Sequence, residues 1–195
     1  MLTTKETGRK ILHLVFGLLI ASAIFLVLLD KAGMLAVLFA GISISLISKK
    51  ANIPLISWFL DRFERENVKD KFPGKGTIYF FAGTTLALFL FTKDVAAAAV
   101  IILALGDSFA PLVGQFGRIK HPLDKYKSIE GVIAGIVAAS AGASLFVSLP
   151  EAIIASTAAM IAEGMRIVAW NEKLDDNLVI PLVAGAVITL MRVAL

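Results

Sequence analysis

Asp107 is a lone carboxylate in an apolar run. VAAAAVIILALG precedes it, FAPLVGQFG follows shortly after it, and the surrounding stretch GDSFAPLVGQFGRIKHPLDKYKSIEG covers residues 106–131. A charge at the centre of a membrane segment costs at least about 2.5–3.5 kcal/mol, so such a residue marks work to be done. On a helix, Asp107, Pro111, Gly114 and Arg118 fall at offsets 0, +4, +7 and +11, which is one face. Glycines on that face admit another backbone or a phosphate at close range. The loop beyond carries Arg118, Lys120, His121, Lys125 and Lys127, whose donors suit anionic oxygens, and closes on Ser128, Glu130 and Gly131. A carboxylate, glycines and a basic cluster in this order read as a metal-and-phosphate arrangement at a membrane boundary.

Four other clusters carry polar chemistry. In GRKILHLVFG, Arg9, His13 and Gly17 recur every four residues on one helical face, with Lys10 beside them. Snorkelling explains the basic residues, whereas His13 lies a full turn inside the apolar run, where snorkelling is harder. FPGKGT at 72–77 sets Lys75 between Gly74 and Gly76, with Thr77 following at a helix start, where free N–H groups and the positive helix end favour phosphate. It lacks the Walker A spacing, and a Pro-Gly turn with a solvated lysine has the same pattern. Glu163 and Arg166 lie three apart on one face, as an ion pair within the bundle or as site residues. Asp175, Asp176 and Asn177 stand just before an apolar run, where they suit either a hard divalent cation or a helix cap.

The elements that must position these residues are membrane helices. The 195 residues are 58% hydrophobic, with mean hydropathy +0.86, well beyond a soluble domain. Apolar runs at 11–29, 32–48, 77–92, 95–117, 132–149 and 178–195 predict six spans, and 152–170 a seventh that includes Glu163 and Arg166. The expected fold is all-α, a polytopic bundle forming one domain over residues 1–195. Residues 54–67 predict an interfacial amphipathic helix: Leu55, Phe59, Leu60 and Phe63 form one side, and Trp58 sits near the headgroups. Anchoring suffices to explain that helix. The run 132–149 is rich in Ala, Gly and Ser, which allows close helix packing.

Charge placement orients the bundle. With a cytoplasmic N-terminus, 16 of the 19 Lys and Arg residues fall on the cytoplasmic side, and only Lys31, Lys93 and Arg192 on the other. Every polar cluster above maps to that same side, so the basic balance reflects topology and anionic ligands and not nucleic acid. Lys5, Arg9 and Lys10 with Ala21-Ser22-Ala23 imitate a signal peptide, but the apolar run continues to Leu29, so a retained helix is expected. There is no cysteine, which excludes thiol chemistry.

The chain resembles the membrane-embedded CTP-dependent lipid-alcohol kinases, the group containing dolichol kinase, phytol kinase and yeast-type diacylglycerol kinase. The resemblance rests on five motifs in order: RK-x-x-H-x-x-x-G at 9–17, FPGKGT at 72–77, GD-x-x-A-x-x-x-G-x-x-G at 106–117, KS-x-EG at 127–131 and DDNL-x-IPL at 175–182. The two central motifs are also similar to phosphatidate cytidylyltransferases. The C-terminal block of those enzymes, with its consecutive glycines after a histidine, has no counterpart here.

The kinase resemblance implies transfer of the CTP γ-phosphoryl group to the hydroxyl of a polyprenol, phytol-type alcohol or diacylglycerol at the cytoplasmic face. It implies that Asp107, with Asp175 or Asp176, holds Mg²⁺. Lys75, Gly76, Thr77, Gly114, Arg118, Lys127 and Ser128 would meet the nucleotide, and Glu130 a metal or the nucleotide. Asp107 and His13 are alternative general bases, and Arg9, Lys10, Glu163, Arg166 and Asn177 are further polar candidates. The small-residue helices are compatible with a homodimer. The rival readings are a cytidylyltransferase and an ion-coupled carrier. A carrier would place its site near the midplane between repeated halves, and no internal repeat is present.

Overall fold

The computed structural model describes residues 2–51, 53–64, 72–122, 127–165, 168–169 and 172–194. Among these the chain forms eight helices: α1 (Thr4–Phe25), α2 (Lys31–Ser48), α3 (Pro54–Phe63), α4 (Lys75–Leu90), α5 (Lys93–Gly114), α6 (Ile129–Ala143), α7 (Leu149–Gly164) and α8 (Asp176–Ala194). A two-residue antiparallel ladder, β1 (Val168–Ala169) with β2 (Glu172–Lys173), joins α7 to α8. Arg166 and Lys125 lie outside the described residues.

The fold is helical, as expected. Helices α1, α2, α5 and α8 are long and apolar enough to cross a membrane. The other three expected spans fall on α4, α6 and α7, which have 16, 15 and 16 residues, a turn short of the roughly 20 that a full crossing takes. The seventh segment ends earlier than its apolar run suggests: Met165 adopts an extended backbone, and the chain leaves the helix at Gly164.

Sequence chemistry sets the helix starts. Thr3, Asp30 and Ser128 each accept a backbone N–H as N-caps of α1, α2 and α6, and Ser148 with Glu151 forms a capping box on α7. Pro54 occupies the first turn of α3. Gly74 precedes α4 with φ of 72°, a left-handed backbone that glycine adopts without a Cβ penalty. The Ser45 hydroxyl of α2 donates to the Pro73 carbonyl at 2.6 Å and holds that turn in place.

Helix α5 is the axis of the bundle. Its run from Val95 to Ala104 is buried throughout, and α1, α4, α6, α7 and α8 all pack against it. Alanine makes this possible, because small side chains let neighbouring helices approach on every side. On α1, a Cβ added at Gly17 would lie 2.2 Å from the Cβ of Ala104, so α1 rests on α5 at that point. The Gly17 of the four-residue pattern is thus a packing residue, and it fixes where Arg9, Lys10 and His13 meet the same helix.

Candidate active site

The C-terminal half of α5 carries Asp107 to the meeting point of two cavities. Lys10 reaches it from α1, with Nζ donating to Asp107 Oδ2 at 2.7 Å; Lys10 is only 7% exposed. His13, one turn further on, places Nε2 3.7 Å from the same oxygen and rests edge-on against Phe80 of α4. The Ser108 hydroxyl donates to the Lys10 carbonyl at 3.1 Å, which locks the two helices in register. His13 Nε2 and Arg9 Nε are buried without a hydrogen-bond partner among the described residues.

The larger cavity, about 790 Å³, is polar. Its walls include Arg9, Lys10, Lys75, Gly76, Asp107, Gly114, Gln115, Lys127, Ser128, Glu163, Asp175, Asp176 and Asn177. The smaller, about 180 Å³, is lined mainly by Leu12, Phe16, Phe59, Leu60, Phe63, Phe80 and Phe81, with His13, Thr77 and Asp107 at its head. Arg9, Lys10, Glu64, Gly76, Asp107 and Asn177 border both. Ions and hydrogen-bonding groups fit the first chamber, and a hydrocarbon chain fits the second.

All five sequence motifs reach these cavities, from α1, α4, α5, the start of α6 and the start of α8. Lys75 and Gly76 start α4, where first-turn N–H groups have no helical acceptor. Lys75 Nζ also lies 5.4 Å from the centre of the Tyr79 ring. Asp175 caps the start of α8, with Oδ1 accepting from the Asn177 backbone N–H at 3.1 Å and from Asn177 Nδ2 at 2.7 Å. Capping is therefore one role of Asp175 in this fold, and the cavity remains in contact with it.

The glycines after Asp107 serve the protein's own backbone. A Cβ at Gly131 would stand 2.4 Å from the Ala110 carbonyl oxygen and 2.7 Å from the Gly114 Cα, so α6 crosses α5 with nothing between them. Ser128 bridges the crossing, donating to the Gly114 carbonyl at 3.0 Å while it caps Gly131. Two residues of the same region stand apart from both cavities. Glu130 accepts the N–H groups of Arg118 at 2.7 Å and Ile119 at 3.1 Å, closing the loop after α5. Those donors, Arg118 first, hold its carboxyl below the usual range. The Arg118 side chain is exposed outside the cavity walls.

Glu163 pairs with Lys127, with Nζ to Oε1 at 2.7 Å. Among the described residues, no three of Asp, Glu, His and Cys form a ready-made metal-ligand group. The polar cavity nevertheless has a hard-oxygen wall in Asp107, Glu163, Asp175 and Asp176.

Sequence reasoning missed several contributors. Glu6 and Gln115 line the polar cavity; Glu6 pairs with Arg9, and Gln115 Oε1 accepts the Leu2 N–H at 3.1 Å. The i, i+3 spacing of Glu6 and Arg9 was the available signal. The larger correction concerns α3. Trp58 and Leu55 are 58% and 73% exposed, as membrane anchors should be, but Phe59, Leu60 and Phe63 wall the apolar chamber. Anchoring alone does not account for α3.

Fold and site together define an all-helical membrane protein with adjoining polar and apolar chambers. Its sequence is 33% identical over 192 residues to the uncharacterized protein MJ1137 of Methanocaldococcus jannaschii, covering 94% of this chain and 93% of that protein. The chain belongs to the same family as that protein. It is also 27% identical over 145 residues to CTP-dependent diacylglycerol kinase 1 of Schizosaccharomyces pombe, covering 65% of this chain and 64% of that protein. No protein-family model matches the chain, and no solved structure matches it.

Proposed function

We propose that this protein is a lipid kinase that transfers the γ-phosphoryl group of CTP to the hydroxyl of a lipid alcohol at the cytoplasmic membrane face. The observation that carries this reading is the junction at Asp107, where a polar chamber and an aromatic one share a wall. Phosphoryl transfer to a lipid needs that junction, because a water-soluble triphosphate must meet a membrane-dissolved hydroxyl. The distant similarity to the yeast kinase supports the same reaction class.

Phosphoryl transfer depends on positioning and charge neutralisation more than on covalent chemistry. The triphosphate lies in the polar chamber, where Arg9, Lys10, Lys75 and Lys127 offset its charge and the first-turn N–H groups of Gly76 and Thr77 add donors. The lipid chain lies against Phe59, Phe63 and Phe80, with its hydroxyl towards His13 and Asp107. The acceptor oxygen bonds to the γ-phosphorus as the bond from that phosphorus to the β,γ-bridging oxygen breaks, and the nucleoside diphosphate leaves through the polar chamber. His13 Nε2 takes the hydroxyl proton, and Asp107, 3.7 Å away, stabilises the imidazolium. Lys10 already neutralises Asp107, which makes the carboxylate the poorer base.

Mg²⁺ uses one or two carboxylates together with phosphate oxygens and water, so the four-carboxylate wall suits an ion that arrives on the nucleotide. Asp107, Asp175 and Asp176 are the residues that would hold it, and its role would be to neutralise phosphate charge.

The test uses purified protein in liposomes with Mg²⁺, γ-labelled CTP or ATP, and a panel of polyprenol, phytol and diacylglycerol. Label entering one lipid from CTP is expected, and it names donor and acceptor together. In a parallel assay with cytidine-labelled CTP and phosphatidate, cytidine entering the lipid would replace the kinase by a cytidylyltransferase. An absence of transfer to every lipid would overturn the enzyme reading and return the ion-coupled carrier.

A further inference from the structure

Glu163 is a carboxylate of the polar chamber with one buried oxygen that has no hydrogen-bond partner among the described residues. It is 5% exposed in the last turn of α7. Oε1 pairs with Lys127 Nζ at 2.7 Å, and the Glu163 backbone carbonyl accepts from the same Nζ at 3.2 Å. Oε2 is buried with no partner among the described residues. Both groups line the polar cavity. The Lys127 backbone is pinned as well, its carbonyl accepting the His121 N–H at 3.1 Å.

A lysine ammonium has three donors in tetrahedral array and no acceptor. Glu163 engages two of them from fixed positions on one helix end, and the third is left for the chamber. A purely structural ion pair looks different in this same molecule. Glu151 saturates both oxygens, Oε1 with Arg192 at 2.6 Å and Oε2 with the Ser148 N–H and hydroxyl at 2.8 Å each. Leaving a buried carboxylate oxygen unmatched costs free energy, and Glu163 bears that cost while facing a cavity lined by cations.

We infer that Glu163 is a positioning residue that aims the Lys127 ammonium at the terminal phosphates of the nucleotide, with its second oxygen held ready for a donor on the bound ligand. This rests on the reading of the polar chamber as a triphosphate site. The pair is a preset clamp: Glu163 restricts a flexible four-carbon stem before the ligand arrives, so less conformational freedom is lost on binding.

The experiment measures binding of inorganic tripolyphosphate, CTP and ATP to the full-length protein in nanodiscs. The variants are Glu163→Ala, Glu163→Gln, Lys127→Ala and the Glu163→Gln/Lys127→Ala double variant. Glu163→Ala should weaken tripolyphosphate binding about tenfold, the loss of one charge-assisted contact. Glu163→Gln keeps an amide oxygen for Lys127 and should lose less. Once Lys127 is Ala, Glu163→Gln should change tripolyphosphate binding little. In turnover, the nucleotide KM should rise while the lipid KM stays constant.

Equal or tighter binding by Glu163→Ala would overturn the inference, because the carboxylate would then only mask the lysine. A lower melting temperature with unchanged Kd would overturn it too, leaving a structural pair. Should Glu163→Ala fail to fold, additive losses in the Glu163→Gln and Lys127→Ala cycle would be the overturning result. Wild-type protein that binds tripolyphosphate yet labels no lipid would sink the kinase reading and spare this one. Wild-type protein that binds no polyphosphate would sink both.

Discussion

The two ends of the bundle handle charge in opposite ways. At the end away from the cavities, Arg192 of α8 donates from Nε to Glu151 of α7 at 2.6 Å and from Nη1 to Asp94 of α5 at 2.7 Å. Three helix ends are tied in one closed cluster, and Ser148 completes Glu151. At the Asp107 end, Arg9 Nε, His13 Nε2, Glu163 Oε2 and Asn177 Oδ1 are buried without hydrogen-bond partners among the described residues, around two open chambers. Unsatisfied buried polar groups are rare because they cost about 1–3 kcal/mol each. Among the described residues four hydroxyls, of Ser48, Thr84, Ser140 and Ser156, are also buried without a partner elsewhere in the bundle. The unpartnered atoms on ionisable side chains, those of Arg9, His13 and Glu163, all line the two chambers, which is a stronger sign of a binding site than the number of charges there. The far end closes on itself, and on the kinase reading proposed above a ligand would supply the partners that the near end lacks.

The largest effect expected of any single change comes from breaking the near end alone. Asp107→Asn should lower lipid phosphorylation by about 10²–10⁴-fold, because His13, the base of the proposed transfer, then lacks the charge that stabilises its protonated form. The Asn amide leaves the buried Lys10 ammonium without its counter-charge, so the melting temperature should fall as well; wild-type turnover would remove Asp107 from the mechanism. The converse change, Arg192→Ala, leaves two carboxylates short of donors. Unfolding free energy in mixed micelles should drop by about 2 kcal/mol, with both Michaelis constants unchanged; altered substrate affinity would erase the division between the ends.

Within the near end, Phe59→Ala separates the chambers. The lipid KM should rise about tenfold while the nucleotide KM holds, as for a lost contact in a hydrophobic pocket. A matched rise in both would mean that α3 braces the whole site. Lys75→Ala should have the smallest effect, raising the nucleotide KM about two- to threefold as for a partly exposed ion contact, and it should be felt less as salt increases.

The helices were legible in the sequence because burial in lipid demands long apolar runs, and the site residues because polar groups within such runs stand out. Asp107, Lys10 and His13 were found this way. The chain could not reveal that Lys127 pairs with Glu163, since that pairing joins residues 36 apart through a turn of α7 and a loop after α5. Arg192, Glu151 and Asp94 were equally opaque, because each reads as an ordinary helix-end charge until α5, α7 and α8 are assembled. Gly114 was ambiguous between phosphate and backbone; it meets Gly131 at the α5–α6 crossing and also borders the polar chamber. The second role of α3 was hidden because anchoring and chamber-walling ask for the same amphipathic pattern.

The walls of the polar chamber draw on residues from Leu2 to Asn177, and α5, which all the major contributors touch, is made midway along the chain. A ribosome delivers these parts in order, so the chamber lacks one wall until α8, the last of the described helices, is made. A chain released before α8 would carry Asp107 but lack the wall that Asp175, Asp176 and Asn177 supply. On the kinase reading proposed above, a chain inserted only as far as α7 should bind no nucleotide.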